Sequence, residues 1–185
     1  MRNIIYLMTL SLDGFVKGPD GKFDWSEPDE EVHRFYNQQA RELGAFLYGR
    51  RMYELMTFWQ TADEDPSAPD YMVEFARIWK EKPKIVFSTT LEAVGENSRL
   101  VRGDVAAEVA KLKQQEGGDL AVGGPSLAST FARLGLIDEY RLIVAPILVG
   151  GGKPFFPALD HQVPLRLLET RTFRSGMQYL RYQRA

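Results

Sequence analysis

Apolar positions along this chain fall into two rhythms. Unbroken apolar runs mark strands buried on both faces: residues 3–10 (NIIYLMTL), 45–48 (AFLY), 84–87 (KIVF) and 120–122 (LAV). Between them, apolar residues recur at spacings of three and four, the period of a helix packed on one side. Val32, Phe35, Tyr36, Ala40 and Leu43 give one such helix up to Gly44. Ser26 or Asp29 can cap it, and Pro28 with the acids Asp29, Glu30 and Glu31 suits its first turn. Tyr53, Met56 and Phe58 give a short helical pattern, and residues 71–79 an amphipathic one that Pro83 breaks. Val105, Val109 and Leu112 follow the cap Asp104 and stop at Gly117-Gly118. Leu127, Phe131 and Leu134 form the last helix, opened by Pro125 and stopped by Gly135.

The end of the chain changes rhythm. Leu100-Val101 is a short strand candidate, and residues 140–145 form a strand before Pro146. Residues 165–173 then alternate apolar with polar, residues 177–182 alternate again, and Arg174-Ser175-Gly176 between them reads as a hairpin turn. Residues 11–14, 18–21, 61–70 and 150–152 are loops. Strand–helix alternation closed by a hairpin predicts a single α/β domain with a mostly parallel sheet and an antiparallel edge. No internal repeat and no linker divides the chain.

Composition narrows the chemistry. At 185 residues the chain can bury a full core, and 44% hydrophobic content excludes disorder. Charge is nearly balanced, 23 Lys and Arg against 25 Asp and Glu, with no basic stripe, so nucleic acid is not the expected partner. There is no cysteine, which excludes disulfides and thiolate catalysis, and two histidines do not make a multi-histidine metal site. The apolar start is too short to span a membrane. A cytoplasmic protein acting on a small molecule is expected.

In open α/β sheets, ligands bind beyond the carboxyl ends of the strands. Three predicted strand ends carry suitable groups. Gly49-Arg50-Arg51 offers two guanidinium groups for phosphate oxygens. Ser88-Thr89-Thr90 offers hydroxyls and turn amides. Gly123-Gly124-Pro125-Ser126-Leu127 couples a close backbone approach to a helix N-terminus, where free N–H groups and the dipole favour a pyrophosphate. Each has a plainer reading, a tight turn or an exposed basic pair. Together they describe a cleft for a dinucleotide, which requires Arg50, Ser88 and Gly124 to share one side of the molecule.

At these residues the sequence resembles a family. YGRRMYE, KIVFSTTL and DLAVGGPSL, with LMTLSLDGFV, GLIDEYRLIVAPILVGGGKPFF and the terminal hairpin, are similar to the dihydrofolate reductase-like superfamily. The closer likeness is to the reductase domain of riboflavin-pathway deaminase–reductases, and it spans residues 1–185. The resemblance implies a three-layer sandwich around a mixed, mostly parallel central sheet, and a homodimer to which Tyr179 and Tyr182 could contribute. It implies a reductase using NADPH, with NADH possible, on a pterin or aminopyrimidine type of substrate. Gly49, Arg50 and Arg51 would face phosphates, Ser88 and Thr89 the adenosine 2′-phosphate, and Gly123 to Leu127 the pyrophosphate. Met8 and Thr9 would pass the carboxamide, with Phe15 and Val16 close to the nicotinamide.

The sequence departs from that pattern in four places. Met52 replaces a frequent threonine, and Thr89 a common arginine, which weakens the case for NADP over NAD. Val122 and Gly44 stand where the riboflavin-pathway reductases carry a glutamate and an aspartate on the substrate side. For the proton donor, Trp25-x-x-Pro28-x-Glu30 echoes the family's Trp, Pro and acid. Glu30 would then supply or relay a proton; the preferred reading makes it one of three acids complementing a helix N-terminus. Asp13 is the other candidate, although a turn aspartate before glycine needs no function. Trp25 either stacks on substrate or covers the core edge. A nucleotide-binding or regulatory module without turnover is the alternative to an enzyme.

Overall fold

The computed structural model describes residues 1–185. Strands and helices fall close to where the apolar rhythms place them. β1 (Ile4–Ser11), β3 (Ala45–Gly49), β4 (Lys84–Phe87), β5 (Ser98–Val101), β6 (Leu120–Gly123) and β7 (Glu139–Ala145) lie parallel in one sheet. The hairpin of β9 (Leu165–Thr172) and β10 (Gln178–Arg184) adds the antiparallel edge, giving the order β5-β4-β3-β6-β1-β7-β10-β9. Two short strands, β2 (Phe15–Lys17) and β8 (Lys153–Pro154), pair apart from this sheet.

The central runs are apolar throughout because both of their faces are covered. Ile4, Tyr6 and Leu10 of β1 turn to one face, against Leu127, Phe131 and Phe155, while Ile5 turns to the other. The first face is closed by α4 (Val105–Gln114) and α5 (Pro125–Arg133). The second is closed by α1 (Glu30–Glu42), α2 (Arg50–Met56) and α3 (Asp70–Glu81), which form two clusters around Trp79 and Tyr48 and around Phe35 and Tyr179. Helix, sheet and helix make three layers.

The chain leaves β1 for β3 on one side, builds outward to β5, and returns to insert β6 between β3 and β1 before crossing to β7. This reversal of winding is a topological switch point, and the crevice it opens lies at the carboxyl ends of the strands. Because α1 joins the carboxyl end of β1 to the amino end of β3, its first turn stands at that same rim.

Candidate active site

The three predicted strand ends belong to adjacent strands. Tyr48 pairs with Gly123 across β3 and β6, and Gly49 with Phe87 across β3 and β4. Arg50, Ser88 and Gly124 therefore share one rim. Arg50 bridges two of the ends directly: its Nη1 donates to the Thr90 hydroxyl (3.1 Å), while its Nε donates to Glu54 (2.8 Å). Arg51, one position on, is exposed. Ser88 closes its own turn by accepting from the N–H groups of Thr90 and Leu91.

The glycine pair makes the third end. Gly124 has φ +88°, and a Cβ there would lie 2.9 Å from Cβ of Met52; a Cβ on Gly123 would strike the Tyr48 ring at 2.7 Å. Only glycine lets the β6–α5 turn press this closely on α2. α1 and α4 are capped by the carboxylates of Asp29 and Asp104, whereas α5 begins at Gly124 and Pro125 with no side-chain cap. Its first-turn N–H groups remain available to an anion. Met52, which replaces the family's threonine, serves as the apolar wall of this turn.

Other expected residues are placed differently. Thr9 faces α1, its hydroxyl 2.7 Å from that of Tyr36, whose pKa burial pushes up. Phe15 is half-buried at the start of β2, and Val16 is buried in the main core. Glu30 lies at the surface. Asp29 takes the cap, which turns Glu30 outward to pair with Arg34 (2.8 Å). Asp13 is a loop staple: it accepts from the Ser11 hydroxyl (2.6 Å) and from the N–H groups of Gly150 and Val149. These bonds, the serine first, hold its pKa below the usual carboxylate range. Trp25 packs on the Phe35 cluster, with Nε1 sealed from solvent and unpartnered.

Two departures from the family pattern also change meaning. Gly44 lies at the amino end of β3, packed against Arg2 and the Gly118 carbonyl, away from the crevice. Val122 is buried in the core beneath α5.

Sequence reading did not single out Arg102. Arg102 follows β5 and reaches back over the neighbouring turn, donating to the carbonyls of Thr89 (3.1 Å) and Leu91. A guanidinium thus arrives beside Thr89, where the family's own arginine is absent. The available signal was a basic residue directly after an edge strand.

The layers, strand order and crevice define a dihydrofolate reductase-like α/β domain. The chain belongs to the RibD C-terminal domain family, whose model matches residues 2–179. It is 36% identical over 184 residues to the uncharacterized protein YyaP of Bacillus subtilis (strain 168), covering 98% of this chain and 94% of that one. A putative riboflavin biosynthesis protein from Shewanella sp. PV-4 superposes with a TM-score of 0.78 at 24% identity, covering 100% of this chain and 99% of the other. The dihydrofolate reductase of Enterococcus faecalis, complexed with NADP(H) and RAB-propyl, does so with 0.63 at 15%, covering 98% and 96%. No helix is long and apolar enough to cross a membrane.

Proposed function

We propose that this chain is an NAD(P)H-dependent reductase of a small heterocycle, of pterin or aminopyrimidine type. The observation that carries the reading is the meeting of Arg50, the Ser88–Thr90 turn and the uncapped start of α5 on three adjoining strand ends. Gly49, Arg50, Arg51, Ser88 and Thr89 would hold the adenosine side, Gly123 to Leu127 the pyrophosphate, and Thr9 and Phe15 the nicotinamide end. The cofactor supplies a hydride; the protein supplies position and charge. Arg50 at the Thr90 hydroxyl and Arg102 at the Thr89 carbonyl put two guanidinium groups on this turn, which favours a 2′-phosphate, hence NADPH over NADH.

Titrating the protein with NADPH and NADH should quench its tryptophan fluorescence, and binding of neither below millimolar concentration refutes the reading. Arg50→Ala should raise the NADPH dissociation constant about tenfold with little change in fold stability. An unchanged constant removes Arg50 from the site.

One observation favours the alternative, a nucleotide-binding or regulatory module without turnover: Glu30 and Asp13 are both held away from acid duty. Binding of NADPH with no oxidation across a panel of dihydropterins and aminopyrimidines would select it.

A further inference from the structure

Arg2 is buried, 8% exposed, at the amino end of the sheet, opposite the crevice. Its backbone N–H donates to the Lys113 carbonyl near the end of α4 (3.0 Å), and its Nε to the Gly118 carbonyl (2.7 Å). The guanidinium makes no other hydrogen bond. Nη1 and Nη2 have no partner, yet neither is sealed from solvent. Asp119, the acid whose charge acts on Arg2, accepts from Asn3 instead, through the backbone N–H (2.7 Å) and the side-chain amide (3.3 Å). Burial outweighs that acid and holds the Arg2 pKa below its ordinary value. A cation drawn out of water onto one neutral acceptor lacks a counter-charge.

The unpartnered edge meets open space. Arg2 lines a cavity of about 650 Å³ between α4 and the amino ends of β3, β4 and β5, a size ordinary for small-molecule sites. Ala45, Ile85 and Leu112 give it an apolar floor continuous with the core. Arg99 and its single acid, Glu108, pair with each other. Lys84 turns its ammonium to the Trp79 carbonyl on the other side of the sheet. Lys111, exposed on α4 and in no ion pair, is left with Arg2 to set the sign of the cavity. Gly44 completes the arrangement: a Cβ there would lie 2.4 Å from Nη2, so glycine clears room for the guanidinium.

We propose that this cavity binds a small organic oxyanion, a carboxylate or a phosphate monoester on an apolar body, with Arg2 as the residue that grips it. Nη1 and Nη2 form the edge of a planar fork that matches two oxygens of one anion. The C-terminal dipole of α4 works against an anion here, so attraction at a distance does not suffice and the fork must touch both oxygens. The apolar body lies on Ala45, Ile85 and Leu112, and Lys111 adds charge from the helix. The crevice is at the other end of the strands, so this site stands independently of the reductase reading.

Calorimetry on the full chain with phenyl phosphate, benzoate, inorganic phosphate and phenol reads the binding. At least one of phenyl phosphate and benzoate should bind with a dissociation constant below about 1 mM, and the tighter of the two tells phosphate ester from carboxylate. Phenol, without the charge, should not bind. Inorganic phosphate, without the ring, should bind about tenfold more weakly than phenyl phosphate. Methyl NMR spectra give the location: Ile85 and Leu112 should shift on binding, and Leu127 at the crevice should not. Arg2→Met should raise the dissociation constant about tenfold or more, and Lys111→Ala about threefold. The lysine variant, altered only at the surface of α4, decides the matter should Arg2→Met fail to fold. Neither organic anion binding below about 10 mM, shifts at Leu127 in place of Ile85, or affinity unaltered by these substitutions overturns the proposal. NADPH binding is read separately at Leu127, so failure of either reading leaves the other standing.

Discussion

Gly44 is glycine for want of space. A Cβ there would sit 2.4 Å from the Gly118 carbonyl oxygen and from Nη2 of Arg2, and the first of these is backbone that cannot step aside. Gly44→Asp, which restores the acid of the riboflavin-pathway relatives, should therefore cost about 3 kcal/mol of stability without altering the crevice. Chemical denaturation checks the first part, and an unchanged NADPH dissociation constant the second. The site was legible at this scale where chemistry lay in the backbone. Gly123-Gly124-Pro125 could be read because strand, double glycine and helix-starting proline leave few alternatives. Side-chain direction was not legible. Whether Asp29 or Ser26 caps α1 decides where Glu30 points, and the sequence allows both. Nor could the Asn37 amide be read, since it is fixed by Tyr71 and Glu74 of α3, a contact between segments that spacing cannot foresee.

At the scale of elements, the two ends of the sheet are electrically opposite. Helix N-termini open on the crevice, and helix C-termini converge on the amino ends of the strands, where cations meet their carbonyls. Lys82 donates to Arg41 and Leu43 at the end of α1, Lys84 to Trp79 at the end of α3, and Arg184 to Gly135 after α5. Lys84 is buried beside the Trp79 ring, and burial pushes its pKa down to about 8. From pH 8 to its unfolded value of about 10.4, the unfolded chain holds more protons than the folded one, so stability rises with pH across that window. Wild type should gain stability over Lys84→Met between those limits and stop gaining above them, as denaturant midpoints at each pH will show; a flat difference would refute it. Elements buried on both faces were legible because nothing polar interrupts them. β5 begins at Ser98, earlier than its apolar pair Leu100-Val101, because an outer strand keeps polar positions. β2 and β8, of three and two residues, are too short for any rhythm to declare them.

At the scale of the molecule, the sheet is finished on one side only. β5 is a short edge tucked under α4, whereas all eight residues of β9 are exposed, with Leu165, Leu167 and Leu168 at 37, 50 and 41%. The strand expected from alternation forms, but none of its residues is buried. Leu167 pairs with Tyr182, and Leu165 with Arg184, on the face that α5 covers further in. The register shift between Arg181 and Tyr182 leaves Leu168 without a partner, a bulge of the kind that spoils an edge for continuing a ladder into another chain. A second copy would therefore cover the leucine face rather than extend the strand, in a two-fold contact that sets the same residues against themselves. We propose a homodimer of that kind. Light scattering on the eluting protein should give twice the 21.1 kDa chain mass, and Leu167→Glu should bring it to one chain with NADPH binding retained. A wild-type chain that scatters as a monomer at micromolar concentration refutes the dimer, and a Leu167→Glu chain that remains dimeric moves the contact elsewhere.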